Sequence, residues 1–225
     1  LLHRDGPYKY PTWKQIRTQE HPIARFHRKQ NTFSRVYMGN PQKNKNFNQS
    51  ALQFDFSGAR RLRLDKVREI LGVEKEISVF TWIKHPQTPH DNSHVIFAAN
   101  TSAGGNRFQF AIKGHSSDTY TATGSLGFYQ SGVGWKKSSY DRVDDNDWHH
   151  VGFVYKEVAS SSEVQLYLDG KAQGEPLDFS TFSSTINTST DFVTIGAEYD
   201  SGPTASDFFN GQMADFAIWN KALSS

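Results

Sequence analysis

From Ala51 to the end of the chain, short apolar–polar alternations are cut off at near-regular intervals by turn residues, and this rhythm constrains the fold most. Leu52, Phe54 and Phe56 alternate before Gly58, and Leu62 and Leu64 alternate after it. Ile77, Val79, Thr81 and Ile83 mark one face of a strand whose other face carries Phe80 and Trp82. Successive side chains of an extended backbone point to opposite faces, so each segment needs a second sheet to cover its apolar side. Residues 95–99, 108–112, 126–129, 148–155, 164–168, 192–197 and 212–219 continue the pattern, and Asp169-Gly170 has the composition of a tight hairpin turn. The reading is about ten to twelve strands with turns every ~8–12 residues. One short helix is expected over 65–71, with Asp65 as its cap and Gly72 past its end. With no strand–helix–strand rhythm, the expected fold is all-β, a two-sheet antiparallel β-sandwich.

Residues 1–50 break the rhythm. They carry Pro7, Pro11, Pro22 and Pro41, and hold ten Lys/Arg against Asp5 and Glu20, a balance of +8. Residues 51–225 hold fifteen Lys/Arg against twenty-one Asp/Glu, a balance of −6, and the two sum to the chain's +2. We read 1–50 as a basic, irregular N-terminal extension or linker and 51–225 as the sandwich domain. Short strands are expected at 23–26 and 32–38. Tyr8, Tyr10, Trp13, Phe26, Phe33 and Tyr37 are many aromatics for a free tail, so much of the extension is expected to lie along the acidic domain rather than on a nucleic acid. Zero cysteines exclude disulfides and thiolate chemistry. No apolar run reaches the ~18 residues of a spanning helix, so no membrane insertion is expected. The start lacks the order of a signal peptide and has no Met, which reads as a processed or excised piece. Sequons at Asn48, Asn100 and Asn187 hint at export.

Four segments, in order, carry a resemblance. They are Leu52-Gln53-Phe54-Asp55-Phe56-Ser57-Gly58, then Ile77-Ser78-Val79-Phe80-Thr81-Trp82-Ile83-Lys84, then Asp147-Trp148-His149-His150-Val151-Gly152-Phe153-Val154-Tyr155 with Gln165-Leu166-Tyr167-Leu168-Asp169-Gly170, and finally residues 209–224. The set is similar to the laminin-G-like, concanavalin A-like lectin/glucanase jelly-roll modules and spans 51–225. The resemblance implies a jelly roll that binds sugars or proteins, located outside the cell or at its surface. It also implies a calcium ion at the rim of many members, held in part by an acid after the first-strand Gly and another in the closing strand. Here those places hold Ala59-Arg60-Arg61 and Ala214, beside Asp215, so the usual ion is expected to be absent or its site rebuilt. A salt bridge from Arg60 or Arg61 to Asp215 would stand in its place.

The chemistry of catalysis is thin. Related glucan hydrolases space two Glu and an Asp at alternate positions of one strand, so that acid and nucleophile share a face. Glu198-Tyr199-Asp200 offers two carboxylates and no third, and no nucleophile-elbow, zincin, phosphate-loop or dinucleotide pattern occurs. The chain is therefore expected not to be an enzyme and to need no cofactor. Asp141, Asp144, Asp145 and Asp147 gather enough oxygens in one loop to be the alternative calcium ligands, although a solvated turn is the favoured reading. His85, His90 and His94 lack zinc spacing, and His149 and His150 point to opposite faces of one strand. Trp82, Trp148 and Trp219 are read as core or sheet-edge anchors.

Recognition is expected from loop side chains. Trp135, amid Gly132, Gly134, Lys136 and Lys137, is hard to bury, and Tyr120, Tyr140 and Tyr199 sit in similar surroundings. Rings of this kind stack on the apolar faces of sugars while polar groups take the hydroxyls, and Lys136 suits an acidic partner. The reading is a non-catalytic extracellular module that recognises carbohydrate. The alternative is a protein–protein adhesion module, and a glycan-active hydrolase ranks third. The partner is a glycan or an extracellular protein, not a nucleic acid.

Overall fold

A computed structural model describes residues 24–26, 51–54, 61–65, 76–87, 93–101, 105–113, 124–158, 161–179, 191–199 and 204–224. Among these lie fourteen strands: β1 (Ala24–Phe26), β2 (Leu52–Phe54), β3 (Leu62–Leu64), β4 (Glu76–Lys84), β5 (His94–Thr101), β6 (Gly105–Ile112), β7 (Ser125–Gln130), β8 (Gly134–Arg142), β9 (Trp148–Val158), β10 (Ser161–Leu168), β11 (Lys171–Ala172), β12 (Leu177–Asp178), β13 (Phe192–Ile195) and β14 (Gly211–Trp219). The first sheet runs β1-β14-β4-β9-β10-β11, with β2 also on β14 and β12 also on β10. The second runs β3-β13-β5-β6-β7-β8. Both are antiparallel, and together they form the expected jelly-roll sandwich. No helix among the described residues is long and apolar enough to cross a membrane.

The alternation read from the sequence is what fills the space between the sheets. Ile77, Val79, Val151, Phe153, Tyr155, Leu166 and Ile218 come from the first sheet. Phe97, Phe108, Phe110, Ile112, Phe128, Val193 and Ile195 meet them from the second. Phe153 is the hub, with ring centroids 6.1 Å from Phe97, 5.9 Å from Phe108, 5.4 Å from Phe110 and 5.1 Å from Phe128. Truncating such a ring to Ala costs about 3–5 kcal/mol, so this contact holds the sheets together. Along β10 every second residue is buried, as expected of a strand wet on one side. Along β5 nearly every residue is buried, so the outer face of the second sheet is covered there.

Asp169 and Gly170 adopt φ of 50° and 78° and let Leu168 pair directly with Lys171, the two-residue hairpin that their composition predicts. β14 slips register between Ala214 and Ala217, with Asp215 at φ 51°. This bulge absorbs one residue and keeps Met213, Phe216 and Ile218 in the core. The outer edge of β14 is occupied by β2 along Gly211–Met213 and by β1 along Phe216–Ile218. The strand expected at 23–26 is thus present as β1. The one expected at 32–38, and the helix expected over 65–71 beyond Asp65 itself, lie outside the described residues.

Two expectations need correction. Residues 134–140 are not a loop but most of β8, which is bonded to β7 at the sheet's edge. The run Lys136-Lys137-Ser138-Ser139 carries no apolar alternation because an edge strand has less to bury, and charge there discourages pairing with other chains. The sequon at Asn100 is no glycosylation site in the folded chain. Asn100 is fully buried and its Nδ2 donates to Thr194 Oγ1 at 2.9 Å.

Candidate functional site

The rim residues proposed from sequence as a metal site are engaged separately. Asp144 is fully buried and receives Arg142 Nε on Oδ1 at 2.8 Å and Nη2 on Oδ2 at 2.7 Å. Its carboxylate presses on Gly124, where a Cβ would lie 2.1 Å from Oδ1, and Gly124 at φ 85° suits the place. Asp145 accepts the backbone N–H of Asp147 at 2.8 Å and faces His149 Nε2 at 3.1 Å. Burial works against its charge, but these two partners outweigh it and hold the carboxyl below its ordinary range. Asp141 and Asp147 are exposed. Among the described residues no three His, Cys, Asp or Glu side chains are grouped so as to hold a metal ion. His85 and His94 do meet, with ring centroids 4.6 Å apart, whereas His90 lies outside the described residues.

The ligand residues are also scattered. Tyr199 is not in a loop open to solvent but in the core, 4% exposed, with Phe192 edge-on at 5.1 Å and its hydroxyl receiving Arg61 Nε at 2.7 Å. Lys136 donates to the carbonyl of Asp178, with its ammonium 4.9 Å from the Phe179 ring. Neighbours on a strand point opposite ways, so Lys136 leaves Trp135 rather than joining it. Tyr140 falls on β8, on the same edge strand as Trp135. Tyr120 lies outside the described residues, as do Asp200 and Arg60.

Trp135 is the sequence-derived residue that lies in a cluster of ring and polar side chains. It is half-buried on the outer face of the second sheet, paired across the ladder with Tyr129, and the two rings lie 5.5 Å apart at 54°. Tyr129 pairs in turn with Gln109 on β6, and Gln109 with Ala98 on β5. Residues opposed in register share a face, so Gln109, Tyr129 and Trp135 form a row across the sheet. Gln109 Nε2 donates to Glu198 Oε2, extending the row. Two backbone hydrogen bonds with Ser206, at 3.1 and 3.0 Å, hold Glu198 in place.

Lys113, two residues beyond Ala111 on the same face, closes the row from above. Its ammonium lies 4.0 Å from the centre of the Trp135 ring and donates to Ser93 Oγ at 3.0 Å. Gly127 makes this possible, since a Cβ there would lie 3.0 Å from Lys113 Cγ and 3.3 Å from the Trp135 ring. Beneath them Val95, Ala98 and Ala111 form a small apolar floor, separate from the main core, on which Trp135 packs. Gln109, Lys113 and Glu198 are 4%, 3% and 2% exposed, whereas both rings keep more open surface. Gln109 Oε1 is buried without a hydrogen-bond partner among the described residues. A buried amide oxygen left so is costly and points to a missing donor. The arrangement offers two ring faces, an amide, a carboxylate and an ammonium within one strip. Glu198 is tied to Gln109, and Asp200, the other carboxylate of the acidic pair, lies outside the described residues.

Gln109, Lys113 and Tyr129 escaped the sequence reading because each is the ordinary polar or aromatic partner in an alternating strand. Only the sheet order brings them beside Trp135 and Glu198.

A family model described as the concanavalin A-like lectin/glucanases superfamily matches residues 56–225. Among solved structures, the chain is similar to a carbohydrate-binding module, CBM40, of the Ruminococcus gnavus IT-sialidase, solved with α2,3-sialyllactose. Identity is 15%, 78% of this chain and 91% of that one are covered, and the TM-score is 0.57. It is similar to the heptameric SAP-like pentraxin of Limulus polyphemus at 22% identity, covering 67% of this chain and 66% of that one, with a TM-score of 0.51. It is also similar to NanB sialidase of Streptococcus pneumoniae at 16% identity, covering 91% of this chain but 27% of that one, with a TM-score of 0.57. At these identities the likeness is one of fold. No curated protein sequence matches the chain.

Proposed function

The chain belongs to the concanavalin A-like lectin/glucanase superfamily, and on that premise we propose that it is a non-catalytic carbohydrate-binding module whose ligand lies on the outer face of the second sheet. The observation that carries this is the row Trp135, Tyr129, Gln109 and Glu198 beneath Lys113. Sugars pair an apolar C–H face with a ring of hydroxyls, and this strip supplies the complement to both. The Trp135 and Tyr129 rings take the C–H face. Gln109 Oε1 and the Glu198 carboxylate accept from hydroxyls, and Lys113 donates. The polar groups are fixed by burial before any ligand arrives, which lowers the ordering cost of binding.

A place outside the cell fits this reading, as does membership of a larger protein in which the module directs a neighbour to its glycan. Similarity to a sialidase's binding module supports the glycan class. The test is a glycan array probed with the intact chain and with Trp135→Ala. We expect binding to a restricted set of glycans, weakened by about tenfold or more in the variant, the equivalent of ~1.4 kcal/mol. No binding on the array, or binding that Trp135→Ala leaves unchanged, would remove this face as the site. Release of reducing ends from any bound polysaccharide would overturn the non-catalytic part.

A further inference from the structure

The edge of the second sheet opposite Trp135 carries another cluster, built on β3. Arg61 and Arg63 are both exposed there, and each guanidinium rests on a buried ring. The Arg63 guanidinium carbon lies 3.8 Å from the centre of the Phe192 ring, and that of Arg61 lies 5.4 Å from the centre of Tyr199. The two rings stand edge-on to each other at 5.1 Å. Each guanidinium also commits its Nε within the protein. Arg61 donates to the Tyr199 hydroxyl at 2.7 Å, and Arg63 to Asp65 Oδ1 at 2.6 Å. Stacking and the Nε bond together orient two otherwise mobile forks before any ligand arrives.

Register separates this cluster from the Trp135 strip. Arg63 opposes Thr194 and Thr194 opposes Ala98, in the row that continues through Gln109 and Tyr129 to Trp135. Five strand spacings make that about 24 Å. The chain around Glu198 lies between the two ends. Thr194 Oγ1 donates to the Ala197 carbonyl at 2.5 Å, and the Tyr199 N–H to Asn100 Oδ1 at 3.0 Å. One sugar cannot touch both clusters.

We propose that Arg61 and Arg63 form a second binding site, for the carboxylate or sulfate groups of an acidic glycan. A guanidinium has five N–H donors, four of them on its terminal nitrogens, in a planar fork that matches an oxyanion bidentately. The Arg63 side chain keeps 46% of its surface open. Alternate residues of an extended chain share a face about 7 Å apart, so both forks reach oxyanions carried by one glycan. Residues 51–225 balance at −6, which makes the pair an island of positive charge rather than part of a broad basic surface. A nucleic acid strand, with a charge about every 3.4 Å, would meet a net negative domain around that island. It would also find no open ring for a base, because Phe192 and Tyr199 are buried beneath the guanidiniums. The sparser charge of an acidic glycan suits the place. Asp65, 68% exposed, is the carboxylate with which such a ligand shares Arg63.

The Nε–H signals of Arg61 and Arg63 are the readout, because their hydrogen bonds slow exchange with water. Isotope-labelled full chain is titrated with maltotetraose, with sulfated maltotetraose and with a hyaluronan tetrasaccharide, which supply no charge, sulfate and carboxylate in turn. Site-resolved signals keep the result apart from any binding by the basic residues 1–50. We expect both signals to shift saturably with one or both acidic sugars and to stay still with maltotetraose. Arg63→Gln should weaken the binding seen at Arg61 by about tenfold. Asp65→Asn should tighten it by about two- to fivefold, by releasing Arg63 from an exposed pair. No shift at either arginine with either acidic sugar would overturn the site, and so would an affinity that Arg63→Gln leaves unchanged. Equal shifts with a tetraadenylate strand would overturn the glycan assignment. Loss of the arginine shifts in Trp135→Ala would overturn the separation of the two clusters. The readout is taken at β3 alone, so its failure is distinct from failure of the Trp135 site.

Discussion

His149 Nδ1 lies 2.8 Å from Asp169 Oδ2, while the next residue, His150, stacks on Phe80 from the opposite face of the same strand. Burial alone would lower His149, but its hydrogen bond to Asp169 and the charges of Asp169 and Asp145 outweigh that, and its pKa is raised above 6.5. Burial drives His150 down to about 4 despite the charge of Asp169.

The two shifts bend stability in opposite directions. His149 contributes stability that is fully present below its unfolded value of about 6.5 and is lost as pH rises through its raised folded value. His150 contributes stability that is present above about 6.5 and is lost as pH falls towards 4, where the folded ring itself protonates. We expect the urea midpoint to peak near pH 6.5. His149→Gln should flatten the alkaline side and His150→Phe the acid side. The His150 loss is on the order of 2 kcal/mol, discounted because the residue is only half-buried. A midpoint that rises steadily from pH 5 to pH 8 would contradict the assignment.

Gly152→Ala tests the packing of Phe80 on β9. The added methyl would meet the Phe80 ring at 2.2 Å and the Val79 carbonyl at 2.5 Å, so ring and backbone must both move. Overpacking of this kind costs about 1–3 kcal/mol. The double variant with Phe80→Ala should recover only part of the loss in a denaturation cycle, because the carbonyl remains. Full recovery would mean that the ring alone sets the constraint.

Removal of divalent metal should leave the melting temperature within a degree or two of its starting value (about the resolution of a small linkage effect). Asp144 is already neutralised by Arg142 and Asp145 by His149, so the rim loop keeps little unpaired charge to offer. A melting temperature that falls by several degrees in EDTA and returns with calcium would show that a rim site exists.

The strands were legible wherever burial is one-sided. β10 alternates cleanly because one of its faces meets the Phe153 core, and the Asp169-Gly170 turn announces itself through its composition, which suits the positive φ both residues adopt. β8 was not legible, since Lys136 to Ser139 contain no apolar residue whose spacing could reveal a period. The site was half legible. Trp135 stood out as a large ring in a polar stretch, but adjacency misled about Lys136, which faces the other way. Tyr199 misled for the same reason. Its loop-like sequence hides a side chain drawn inward by Phe192 and Arg61. Gln109, Tyr129 and Lys113 carry no local signal at all. Their meeting depends on the order β5-β6-β7-β8 and on the chain near Glu198 crossing that sheet.

Lys113 and Gln109 allow the glycan site to be separated from the fold. Lys113→Met keeps the length and bulk of the side chain on the Val95, Ala98 and Ala111 floor while removing the ammonium over Trp135. The swap takes a neutral hydrogen bond from Ser93 Oγ, so stability should fall by no more than about 0.5–1.5 kcal/mol. Glycan binding should fall by roughly tenfold, since a charged donor to a ligand is worth about 1.5–3 kcal/mol. Gln109→Met differs in kind. It takes a donor from the nearly buried Glu198, so both the melting temperature and binding should drop, stability by about 1–3 kcal/mol. Parallel measurement of melting temperature and array binding distinguishes the two. If Lys113→Met melts early but binds normally, Lys113 is a structural post for Trp135 and takes no part in recognition.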